Sequence, residues 1–158
     1  MKRTITRQVA VILRDIMAKI QFTHLSVEMV EDVMNNFMVF NAEAEHCNKM
    51  IDELRKRLFE GVDEAAIKEY SEASQKMDEK ELEKAFPAIY PLAIKFNKVY
   101  ASICTKEVEV ELTEIDKTEF VKGVMKGTPN LTANILDNFA IMYKQTEDDF
   151  SELDELMK

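Results

Sequence analysis

The sequence predicts a mainly α protein, built as a long antiparallel helical hairpin or bundle with a small two-stranded β element and a C-terminal helix. Three observations lead there. Val30, Val33, Phe37, Phe40, Ala44, Cys47, Ile51, Leu54 and Leu58 recur at alternating spacings of three and four with no Pro or Gly between them, which keeps one apolar seam along a single helix. A second such series, Leu82, Phe86, Ile89, Ala93, Phe96, Tyr100 and Ile103, lies beyond a turn signal at Gly61 and is the natural mate of the first. Only three Gly and three Pro occur in 158 residues, leaving material for few tight turns and so for few, long elements.

Taken in order, residues 2–6 read as a short strand or as the frayed start of a helix. Val9, Ile12, Leu13, Ile16, Met17 and Ile20 then share one helical face, with Arg14, Asp15 and Lys19 turned away, which predicts a first helix over 6–21. Ser26 is placed to cap the long helix, although Met29 lacks the carboxylate that completes a capping box. That helix is expected to end at Glu60, because Gly61 can take the left-handed conformation and Asp63 can cap a following helix. Met29, Met34, Met38 and Val39 widen the apolar stripe of its first half, so more than one element must pack there. Residues 64–77, with Ile67, Tyr70, Ala73 and Met77, continue as a weaker amphipathic helix. Pro87 and Pro91 interrupt the second seam and predict a break near Pro87, then a regular helix from about Ala88 or Pro91 to Ser102.

The period then changes to two: Val108, Val110 and Leu112 alternate with Glu107, Glu109 and Glu111, as in a strand with one wet and one buried face. Pairing two copies across a dimer would set glutamates against glutamates. Pairing with residues 2–6 brings Lys2 or Arg3 among those carboxylates, and is preferred. Asp116 with Glu119 forms a capping box for a short helix that Gly127 and Pro129 stop near Lys126. Leu131, Ile135, Leu136, Phe139, Met142 and Tyr143 mark a last helix over 131–144. A single domain over 1–145 is therefore expected, followed by an acidic segment, 146–158, that is either a frayed helix or a tail folding on a partner.

Composition narrows the function classes. Apolar residues make up 46% of the chain and charged residues 32%, as in a folded protein. A net charge of −9 opposes general affinity for nucleic acid or anionic membrane. The ends differ, however: residues 1–24 carry Lys2, Arg3, Arg7, Arg14 and Lys19 against Asp15 alone, whereas residues 147–158 carry six acids against Lys158. A regulator that binds nucleic acid through the basic end is thus the first alternative. No apolar run approaches the roughly 20 residues that span a bilayer, and no hydrophobic signal segment opens the sequence, so a cytoplasmic protein is expected, with Cys47 and Cys104 as free buried thiols. In that compartment the acceptor-like Asn130-Leu131-Thr132 is a chance match.

Candidate chemistry is sparse. Glu43 and His46, three apart on a helix, can face one metal ion, but di-iron bundles use that unit twice and His24 has Gln21, not Glu, at the corresponding position. The pair is read as a solvated face, with a metal-dependent enzyme as a second alternative. Glu107, Glu109 and Glu111 have no marked apolar pocket to turn one of them into a general acid. Cys47 beside His46 points to a different helix face, since neighbours are about 100° apart. Gly61, Gly123 and Gly127 have no phosphate-cradling spacing. Ten methionines at helical positions are read as core packing before a promiscuous surface. No catalytic, cofactor or metal residue is assigned.

One resemblance adds to this. A long helix ending in Met50-Ile51-Asp52-Glu53-Leu54-Arg55-Lys56-Arg57-Leu58, a helix leading directly into Thr105-Lys106-Glu107-Val108-Glu109-Val110-Glu111-Leu112, and Leu131-Thr132-Ala133-Asn134-Ile135-Leu136 opening a last helix together resemble small uncharacterised proteins of tailed phages and prophages. Pro87, Pro91 and the acidic end depart from that layout. The resemblance implies an accessory or assembly protein and no functional residues. The expected function is a non-enzymatic structural or adaptor role through helix-face contacts, with a protein partner that is preferably a second copy. In a monomer, Met34, Phe37 and Phe40 would have to be covered by residues 6–21 and 131–144.

Overall fold

The structure, a computed structural model, describes residues 1–144 and 151–158. It is mainly helical with one small sheet, and its organising element is the helix α2, Val27–Leu58. Thirty-two residues of α-helix span about 48 Å. Ser26 caps it, accepting a hydrogen bond from the Met29 amide. Arg55, Lys56 and Arg57 in the last turn suit the negative end of its dipole. The helix stops at Leu58, two residues short of Glu60, and Gly61 takes the left-handed conformation at φ 77° as expected. Asp63 caps α3 (Glu64–Ala73) through the Ala65 amide.

Two elements share the coverage of α2. The strand β1, Lys2–Thr6, runs straight into α1, Arg7–Met17, which stops four residues short of its expected end at 21, where the Lys19 and Ile20 amides close the chain by tighter bonds to the Ile16 and Met17 carbonyls. α1 folds back along the first half of α2, and Leu13, Met17 and Ile20 join Met29, Val33 and Phe40 in the main core. After the short helix α4, Glu79–Ala85, the chain breaks at Phe86-Pro87 and resumes as α5, Tyr90–Thr105, with Pro91 tolerated in the first turn. α5 packs on the second half of α2, where Val99, Ile103 and Cys104 meet Cys47, Met50, Ile51 and Leu54. The second seam is thus the mate of only half of the first. Pro87 cuts its helix to 16 residues, half the length of α2, and α1 takes the remainder.

The strand β2, Glu107–Glu111, follows α5 directly and pairs antiparallel with β1, setting Ile5 opposite Val108 and Thr4 opposite Glu109. Pairing with residues 2–6 is therefore the arrangement found. Ile5 and Val110 are buried while Glu107, Glu109 and Glu111 face out, and Lys2 Nζ lies 3.5 Å from Glu109. The sheet sits where α1 begins and α5 ends, and the Arg7 amide donates to the Lys106 carbonyl at 3.1 Å.

Beyond β2, one polar contact fixes the chain to α2. Asn36 is fully buried. Its Nδ2 donates to the Thr113 carbonyl at 2.8 Å, and its Oδ1 accepts from the Thr113 amide at 2.7 Å. Both backbone polar groups of the partly buried Thr113 are satisfied by one buried side chain. Asp116 caps α6, Lys117–Gly127, through the Glu119 amide at 2.8 Å. The Glu119 carboxylate turns outward from its own box and accepts from the Ser26 hydroxyl at 2.9 Å, joining the starts of α2 and α6. A Cβ at Gly123 would meet the Leu25 side chain, and one at Gly127 would meet the Gln21 carbonyl at 2.8 Å. These glycines let the connection between α1 and α2 lie directly on α6.

The expected last helix over 131–144 is corrected by the structure. α7 covers only Ala133–Asp137, and Asn138–Met142 is a 3-10 helix. Leu136, Phe139 and Met142, the buried side chains of this stretch, are spaced by three, which is the 3-10 period rather than the α period. Asn138 Nδ2 donates to the Asn134 and Ile135 carbonyls, satisfying the end of the α turn. Tyr143 is extended and bridges to Ile115 in parallel, with the Ile115 amide on the Met142 carbonyl and the Lys144 amide on the Ile115 carbonyl, both at 2.9 Å. Phe120 packs edge-on against Phe139 at 5.6 Å between ring centres. In the segment expected as an acidic tail, residues 146–150 lie outside the described residues, and Ser151–Leu156 forms the short helix α8.

Two outcomes follow. Asn36→Ala strands the Thr113 amide and carbonyl, and should cost about 2–4 kcal/mol in urea unfolding; a loss below about 0.5 kcal/mol would mean that the contact is dispensable. Tyr143, whose hydroxyl donates to the Leu136 carbonyl at 3.0 Å, has its pKa pushed up to about 12 by burial and by nearby Asp137. Because the folded state holds the proton more tightly, this stability is complete below the ordinary tyrosine value of about 10 and is lost as pH rises toward about 12. Thermal melts between those values should fall steeply for the native chain and less steeply for Tyr143→Phe.

Candidate interaction surface

The same periodicity that buries one face of α2 leaves a second apolar stripe in its first half. Buried Met29, Val33, Asn36, Phe40, Ala44 and Cys47 define the inner face. Val27, Val30, Met34 and Met38, also spaced by three and four, fall about a third of a turn away. Val27 is 84% exposed, Met38 66% and Met34 41%, with Val30 half-buried between them. The predicted coverage of the first half thus reaches Phe40 completely and Phe37 partly, and stops short of Met34. Most of the methionine stripe is surface, whereas Met17, Met29 and Met142 are core.

At the other end of α2, a cleft of about 340 Å³ opens between α2, α3 and α5, with Phe59, Ile67, Tyr70 and Phe96 on its walls and Arg55 at its edge. Phe96 is the centre of an aromatic group, 6.2 Å from Phe59 and 5.9 Å from Tyr100 between ring centres, with the Arg55 guanidinium 5.6 Å above its ring. Burial, reinforced by Glu79, raises the pKa values of Tyr70 and Tyr90.

The residues singled out in the sequence are placed as follows. Glu43 is half-buried and His46 exposed on α2, His24 is exposed between α1 and α2, and no group of three metal-ligating side chains forms among the described residues. Glu107, Glu109 and Glu111 are solvent-facing, and the Met1 ammonium, 2.9 Å from Glu111, holds that carboxyl below its ordinary pKa. The five basic residues of the N-terminal segment do not assemble into one patch. Lys2 pairs with Glu109, Arg3 Nε donates to the Ile141 carbonyl, Arg7 is buried, and Arg14 binds neighbouring Asp15 at 2.8 Å. Lys19 is exposed. Cys47 and Cys104 are buried, free, and brought together between α2 and α5. Sequence reasoning missed Asn36, whose polarity excluded it from the seam although it occupies a seam-compatible position, and it missed the burial of Arg7.

Comparison with protein-family models, with curated proteins and with solved structures returned no match. The dispersal of the basic residues predicts that duplex DNA and RNA are not retained even at about 50 mM salt; binding at that salt that weakens on Lys2→Ala or Lys19→Ala would contradict it.

Proposed function

We propose that the chain is a non-enzymatic structural or adaptor protein that works through helix-face contacts in a reducing, cytoplasmic setting, with a second copy of itself on the Val27, Met34 and Met38 stripe. The observation that carries this reading is the exposure of that stripe, next to a face of the same helix that is fully covered. A row of apolar side chains at helical spacing is what another helix docks against, and thioether side chains adapt to the surface they meet. Two-fold pairing places the same stripe on both sides, the commonest way a soluble chain self-associates. Four side chains of this size contribute a few hundred Å², well under the roughly 800 Å² per partner of a tight complex. The dimer is therefore reversible, and suited to an accessory role in assembly such as the layout resemblance implies.

Sedimentation analysis from about 1 to 200 µM, the range of weak association, tests this. The native chain should shift from monomer to dimer across the range, and Met34→Glu with Met38→Glu should remain monomeric with unchanged helical circular dichroism. A native chain that stays monomeric throughout, or a dimer indifferent to both substitutions, would contradict the proposal.

A further inference from the structure

The junction where α1, α2 and α5 meet holds the two cysteines, and what surrounds them is unusual for inert core thiols. Cys47 is 1% exposed and Cys104 8%, and they share one small cluster with Ile103 although they come from helices far apart in sequence. Val11 of α1 packs on the same cluster. Arg7, one helical turn before Val11 and bonded through its amide to the Lys106 carbonyl, is buried at the same junction. Its Nε is the one buried side-chain polar atom among the described residues without a hydrogen-bond partner. No carboxylate within ion-pair distance neutralises its guanidinium among those residues. A buried, unpaired cation is costly, and a thiolate is the anion its surroundings can supply. On the outer side, the half-exposed Tyr100 lies one helical turn before Cys104.

We infer that Cys47 and Cys104 are a redox pair, closed to an intramolecular disulfide by hydrogen peroxide, with Arg7 favouring the Cys47 thiolate. Cys104, the more exposed thiol, reacts first. Its thiolate attacks a peroxide oxygen, the O–O bond breaks, and Cys104 becomes a sulfenic acid as the first water leaves with the released proton. The Cys47 thiolate then attacks the Cys104 sulfur, the S–O bond breaks, and a second water leaves. Two thiols lose two electrons and one peroxide becomes two waters. The product staples α5 to the middle of α2. In the resting state burial and, after it, the neighbouring Cys104 raise the pKa of Cys47, and Arg7 lowers it by less. The pair is accordingly slow to react compared with an exposed thiol.

The test is treatment of the folded full-length chain with hydrogen peroxide, followed by intact mass, free-thiol titration and non-reducing electrophoresis. Both thiols should disappear together with loss of two hydrogens, reversibly with dithiothreitol, and the thermal midpoint of the oxidised chain should rise by roughly 5–10 °C. Cys47→Ser should leave Cys104 trappable by dimedone as the sulfenic acid. Arg7→Met should slow alkylation of Cys47 in the Cys104→Ser background several-fold, whereas a purely structural Arg7 would speed it by loosening the site. Thiols that oxidise independently, crosslinks found only between chains, or no reaction below the unfolding midpoint would overturn the inference.

Discussion

A helix of 32 residues with an apolar seam along its length has to be covered along that length, and no other helix among the described residues is long enough to do it alone. The rest of the fold answers that constraint. α1 covers the first half of α2 and α5 the second, and the two strands spring from the point where those helices meet. The two-stranded sheet is therefore more than an appendage: it ties the start of the chain to the end of α5, fixing both covering helices against α2 at once. A two-stranded ribbon is marginal on its own, and here the burial of Ile5 and Val110 supplies its support.

Polar contacts fix what apolar packing leaves undetermined. Hydrophobic burial is non-directional, so the seam alone does not set where the chain after β2 crosses α2. Asn36, with both halves of its amide on Thr113, sets that position, and Glu119 on Ser26 sets the start of α6 beside the start of α2. Such groups specify register because any slip leaves them unsatisfied.

Much of this was legible in the residues. The spacing of Val33, Phe40, Ala44 and Cys47, the turn at Gly61, the caps at Ser26, Asp63 and Asp116 and the break at Pro87 are local signals, and each appears close to where the sequence puts it. The strand pairing was legible from charge, since Glu107 to Glu111 accept a basic strand more readily than their own copy. What was not legible depends on tertiary context. The 3-10 helix after Asp137 is selected by the fit of Phe139 and Met142 into a core built by α6 and α1, and nothing in the local sequence distinguishes it from an α turn. Arg7 reads as a surface cation, and is buried once α1 packs against α5. The halved reach of the second seam follows from helix length, and that is set jointly by Pro87 and by the strand beginning at Glu107.

The division of α2 between two partners is tested most directly by amide hydrogen exchange along that helix. Protection should continue without a step from Val33 through Cys47 to Leu54, because one cover takes over where the other ends. Protection that collapses after Ala44, leaving Met50 to Leu54 exchanging like a frayed end, would show that α5 does not cover the second half and would contradict the account.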